Sequence, residues 1–70
     1  MAEPLIQVNG KSEPLAAATL EALLAEKEVE TGARGIAVAL NGAVVPRTAW
    51  ADTPLQPGDT VEIVRARQGG

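Results

Sequence analysis

Short apolar runs punctuated by turn residues dominate this chain. Leu5-Ile6-Gln7-Val8 is followed by Asn9-Gly10, and Ile36-Ala37-Val38-Ala39-Leu40 by Asn41-Gly42 and Ala43-Val44-Val45. Asn-Gly favours turns with positive φ at both central residues, the geometry of two-residue hairpins. Both sites therefore read as β-hairpins. In the first, Pro14 confines the returning strand to a short edge piece, because proline donates nothing to a ladder. Between the hairpins the period changes. Leu20, Leu23 and Leu24 fall on one helical face, and Thr19 stands where its hydroxyl can cap the first turn. Glu21 near the start and Lys27 near the end suit the helix dipole. The helix is expected to stop between Lys27 and Val29, with residues 30–35 as a loop around Gly32 and Gly35.

The segment from Pro46 to Pro54 is too short and broken for a regular helix; one turn over Thr48 to Ala51 is expected. Leu55 to Asp59 reads as a turn, with Pro57 presetting φ and Gly58 free to take a positive value. Thr60 to Ala66 is the last strand. Its alternation places Val61 and Ile63 on one face and Glu62, Val64 and Ala66 on the other. The order strand, strand, helix, strand, strand, strand predicts an α+β grasp-like fold: a mixed four- or five-stranded sheet crossed by one helix. Closure pairs the first and last strands in parallel. The expected inward residues are Ile6, Val8, Leu20, Leu23, Leu24, Ile36, Val38, Leu40, Val61 and Ile63. The domain spans 1–67, and 68–70 form a flexible tail.

Composition narrows the function. With 70 residues the chain makes one small domain. It has no Cys or His, so disulfides, thiolate or imidazole metal sites and the usual catalytic triads are excluded. Hydrophobic residues reach 46% but include no Phe or Tyr and a single Trp, which favours small aliphatic packing over an aromatic-walled pocket. Trp50 itself belongs more naturally to a core or lid than to a contact surface. The net charge of −3, with Glu21, Glu26, Glu28 and Glu30 close together, argues against nucleic-acid binding. No apolar stretch approaches the roughly 20 residues that span a bilayer, and no signal peptide is evident, so a cytoplasmic location without membrane attachment is expected. Nothing suggests that the chain is itself an enzyme.

What remains is the end of the chain. Gly69 and Gly70 follow almost directly on the last strand. Gly69 can adopt backbone angles closed to other residues, and Gly70 leaves its carbonyl carbon unshielded. Gln68 to Gly70, extended, reach about 10 Å. A carboxylate on so bare a thread can enter a narrow active site while the folded part stays outside.

The stretch Leu40-Asn41-Gly42-Ala43-Val44-Val45-Pro46-Arg47-Thr48-Ala49-Trp50 resembles the ThiS family, sulfur carrier proteins of thiamin biosynthesis. So do Thr53 to Ile63, the helix start Thr19 to Leu24 and the terminal Gly69-Gly70. The likeness runs from about Leu5 to Gly70. Val45-Pro46-Arg47 followed by Trp50 is its most specific piece; the Pro57-Gly58-Asp59 turn is shared by many ubiquitin-like β-grasp domains. The resemblance implies a ubiquitin-like β-grasp fold and a mechanism. An E1-like adenylating enzyme, using ATP and Mg, joins the Gly70 carboxylate to AMP. Sulfur from a cysteine desulfurase or rhodanese-type donor converts it to a thiocarboxylate, and thiazole synthase accepts the sulfur. The carrier itself binds no cofactor or metal.

One region departs from the family, whose residues before Gly-Gly are often apolar. Here Arg65, Arg67 and Gln68 occupy it. Arg65 and Arg67 either meet acidic rims on partner enzymes or form a solvated pair holding the tail off the acidic face. Val64 and Ala66, with Ala37 and Ala39, are candidates for an apolar docking patch. Three alternatives remain: a molybdopterin synthase small-subunit type of sulfur carrier, a non-catalytic β-grasp binding domain, and a protein modifier joined through Gly70 to a lysine.

Overall fold

A computed structural model of the chain describes residues 3–27 and 35–65. These form β1 (Leu5–Val8), β2 (Lys11–Pro14), α1 (Leu20–Glu26), β3 (Ile36–Leu40), β4 (Ala43–Val45), a 3-10 segment (Arg47–Asp52) and β5 (Thr60–Arg65). The described strands make one five-stranded sheet in the order β2-β1-β5-β3-β4. β1 and β5 run parallel at its centre, and the other neighbours are antiparallel. The expected closure of first strand on last is thus present, with five strands. Among the described residues α1 is the one α-helix, and the arrangement is a β-grasp.

Both hairpins turn where the sequence places them. Asn9 and Asn41 have φ of 51° and 52°, and Gly10 and Gly42 have 83° and 87°. Asparagine tolerates this left-handed region better than most side-chain-bearing residues. Both side chains also reach β5. Asn9 Oδ1 accepts from the Ile63 amide at 2.8 Å, and Asn41 Oδ1 accepts from the Thr60 amide at 2.9 Å. Asn41 Nδ2 donates to Asp59 Oδ1 at 3.1 Å, and Asp59 Oδ2 accepts from the Gln56 amide at 2.8 Å. The turn before β5, with Gly58 at φ 88°, is thereby fastened to the β3–β4 hairpin.

Thr19 caps α1 as expected, its Oγ1 accepting from the Ala22 amide at 3.2 Å. The helix ends at Glu26 with Lys27 as C-cap. Lys27 Nζ pairs with Glu13 of β2 at 2.6 Å, so its charge ties helix end to sheet edge. Residues 28–34, which include most of the expected 30–35 loop, lie outside the described residues. At its other end, α1 is held by a bridge of chain: the Leu20 amide donates to Thr53 O at 3.0 Å, and the Leu55 amide to Ala18 O at 2.9 Å.

The 3-10 segment extends one residue beyond the expected turn at each end. It exists to bury Trp50, which is 2% exposed and donates Nε1–H to Val45 O at 2.8 Å. The Arg47 guanidinium lies 6.0 Å from the Trp50 ring centroid, at the limit of a cation–π contact. Seven of the expected inward residues are buried: Ile6, Val8, Leu20, Leu23, Leu24, Val38 and Val61. Ile36, Leu40 and Ile63 are half-buried against that core instead, and Ala17, Trp50 and Leu55 complete it. The difference has a simple geometric origin. A seven-residue helix spans about 10 Å, whereas six residues of strand span about 20 Å. The helix cannot cover the strand ends, and the Trp50 and Leu55 segments cover part of what it leaves.

Candidate functional site

The sheet's central strand is also the strand that leads to the C-terminal residues. Because β5 has neighbours on both sides, its position is fixed by two ladders. Its pairing with β3 spans Val61↔Leu40 to Arg65↔Ile36, while its pairing with β1 covers Thr60↔Gln7 and Val61↔Val8. The Asn9 side chain prolongs the shorter ladder by one bond, to Ile63.

Side-chain alternation along β5 sends Val61 into the core and Glu62 and Val64 to the open face of the sheet. Val64 is 59% exposed. Its direct cross-strand partner is Ala37, which is exposed, and Glu62 faces Ala39. Ala39 in turn pairs with Val44 of β4, which is 75% exposed. Val64, Ala37 and Ala39 are therefore brought together on one face, as the sequence suggested.

Val44 belongs to the same patch and was missed. The available signal was the Asn41-Gly42 turn. A two-residue loop fixes Leu40 opposite Ala43, and hence Ala39 opposite Val44. Val45 then points the other way, towards the core.

Arg65 is exposed at the end of β5. Ala66, Arg67, Gln68, Gly69 and Gly70, the other residues singled out from the sequence, lie outside the described residues. Among the described residues no group of three or more His, Cys, Asp or Glu could hold a metal ion. None of their helices is long and apolar enough to cross a membrane. The chemistry offered by the described part is that of a display surface. It has a rigid central strand, an apolar strip beside it, and a cation where the strand ends.

Comparison with known proteins agrees with this geometry. The family model for the ThiS family matches residues 4–70. The sulfur carrier protein ThiS of Thermus thermophilus is 39% identical over 66 residues, covering 94% of this chain and all of the relative. Among solved structures, the thiamine biosynthesis protein (ThiS) of Geobacter metallireducens matches with a TM-score of 0.76 at 33% identity. That match covers 94% of this chain and 99% of the other.

Proposed function

This chain belongs to the ThiS family of sulfur carrier proteins, and from that premise we propose that Gly70 carries the sulfur while the folded part presents it to enzymes. The observation that supports Gly70 most directly is the family match, which runs through the terminal Gly69-Gly70. A carboxylate resists attack because oxide is a poor leaving group. An E1-like adenylating enzyme, with ATP and Mg, overcomes this by joining the Gly70 carboxylate oxygen to the α-phosphate and releasing pyrophosphate. The mixed anhydride now has AMP as leaving group. A persulfide sulfur supplied by a cysteine desulfurase or rhodanese-type donor attacks the Gly70 carbonyl and expels AMP. A second thiol then cleaves the sulfur–sulfur bond and leaves a thiocarboxylate. Thiazole synthase takes the sulfur for the thiazole ring of thiamin, and Gly70 returns as a carboxylate.

Each part of the chain has a stated task. Gly69 and Gln68 thread the partner's tunnel, since a glycine lets enzyme walls approach the backbone closely. The strip formed by Val44, Ala39, Ala37 and Val64, together with Ala66, docks against the partner. Arg65 and Arg67 stand at the tunnel mouth.

The test is intact-mass measurement after incubation with ATP, the activating enzyme and a sulfur donor. Replacement of one oxygen by sulfur adds about 16 Da, located to Gly70 by fragmentation. A protein whose Gly70 is capped as an amide gains nothing. Sulfur delivery that survives the cap refutes the assignment.

A further inference from the structure

The parallel pairing of β1 with β5 stops early. It ends at Val8↔Val61, and Asn9 supplies one side-chain bond more, to the Ile63 amide. β5 itself continues to Arg65. Backbone groups alternate in direction along a strand. The Thr60 carbonyl accepts from the Asn41 amide, so the groups of Thr60, Glu62 and Val64 face β3. The Val61 carbonyl accepts from the Asn9 amide, so Val61, Ile63 and Arg65 face the β1 side. The Ile63 carbonyl and the Arg65 N–H therefore run past the end of β1, and among the described residues no strand faces them.

The space beside them is a groove of about 520 Å³ lined by Val8, Asn9, Lys11, Glu13, Lys27, Ile63 and Arg65. Its charge is opposite to that of the chain. The chain carries −3 overall. Yet three bases, Lys11, Lys27 and Arg65, line the groove against one acid, Glu13, which is already paired with Lys27. Arg47 is the other base among the described residues.

We propose that this groove receives an extended, acidic segment of a partner protein, which adds to the open edge of β5 where β1 leaves off. Strand addition uses main-chain bonds for affinity and side-chain chemistry for choice. Here the bonds go to the Ile63 carbonyl and the Arg65 N–H, and carboxylates on the incoming segment meet Lys11 and Arg65. The proposal rests on the carrier reading for the identity of the partner. Gly70 lies five residue steps beyond Arg65, at most about 18 Å of extended chain. An enzyme that encloses the Gly70 carbonyl must bring its entrance rim within that distance of Arg65. The segment is thus part of that rim, and it reads the groove as the tail enters.

The probe is an N-acetylated, C-amidated hexapeptide of alternating glutamate and valine, titrated at low salt into the ¹⁵N-labelled full chain. The Arg65 amide should move downfield and exchange more slowly with solvent, while the β3-facing Glu62 amide stays unchanged. Lys11→Ala with Arg65→Ala should weaken binding at least about tenfold. Ala51→Glu with Gln56→Glu changes the net charge equally at exposed positions elsewhere and should leave binding as it is. An equal response to the lysine–valine counterpart overturns the proposal, as does a response without Arg65 amide protection. Binding that appears only after Glu28 and Glu30 are changed to Gln also overturns it, because the chain's own acids then occupy the groove.

With the activating enzyme below saturation, the Lys11→Ala/Arg65→Ala protein should gain sulfur about tenfold more slowly than wild type, and equal rates refute the groove. A wild-type chain that gains no mass refutes the carrier reading instead, whatever the peptide does.

Discussion

Replacing Asn41 by Asp keeps the shape of the β3–β4 turn and reverses one interaction. The Oδ1 acceptor for the Thr60 amide survives, but the group facing Asp59 changes from an N–H donor to a second carboxylate oxygen about 3.1 Å away. Two costs follow. The lost hydrogen bond, exposed to solvent, is worth about 0.5–1 kcal/mol. Two unit charges about 4 Å apart in water repel by about 1 kcal/mol. The expected loss is therefore about 1.5–2 kcal/mol. For a chain of this length, with an unfolding entropy near 2 cal/mol/K per residue, that lowers Tm by about 10–14 °C.

The sign of the pH dependence is fixed. Repulsion in the folded state raises the proton affinity of the new carboxylate pair above that in the unfolded chain. The electrostatic part of the penalty is absent below the unfolded carboxylate range, near pH 4, and grows as pH rises through the raised folded range. Thermal unfolding followed by circular dichroism at pH 7 and pH 3, with and without added salt, measures it. Asn41→Gly loses both side-chain bonds, to Asp59 and from the Thr60 amide, without adding charge, so its deficit should lack the growth with pH that Asn41→Asp shows. An Asn41→Asp deficit equal at both pH values, or none at pH 7, refutes the reasoning.

Other substitutions test the remaining joints. Trp50→Phe strips the Val45 carbonyl of its donor and should cost about 1–3 kcal/mol, read as a lower urea midpoint at unchanged slope. Thr19→Ala removes the α1 cap and should cost about 1 kcal/mol in the same assay. Val64→Asp, on the open face, should leave Tm within a few degrees of wild type. It should also slow sulfur incorporation at limiting enzyme, whereas an unchanged rate removes Val64 from the docking strip.

The parts of the fold that are encoded locally were legible. Both Asn-Gly turns, the Thr19 cap, the Pro14 edge and the alternation of β5 depend on neighbours within a few residues. Contacts made across the chain were not. Nothing near Asn9 in sequence indicates that its side chain will bond the Ile63 amide. Leu55, a lone apolar residue in a polar turn, looks like surface until its amide is seen tied to Ala18 beside the helix start. Trp50 reads from the sequence as a core or lid residue, but its bond to Val45 depends on a 3-10 segment that no periodicity announces. The open-face strip was legible for Val64, Ala37 and Ala39, since alternation alone places them. The groove was not, because it arises from the different lengths of β1 and β5. The role proposed for Gly70 rests on the bareness of the sequence and on the family match.

The placement of β5 has a mechanical consequence. If an enzyme draws in the terminal glycines as proposed, a pull along the axis of β5 loads a strand bonded to β3 throughout and to β1 at its start. Such a pull stresses the two ladders in shear, so several hydrogen bonds must stretch together before any one breaks. Had the thread left from an outer strand such as β4, the same tug would be resisted by one ladder alone. A carrier whose thread leads out from the middle of its sheet can be gripped hard by its end and released intact, ready for another round.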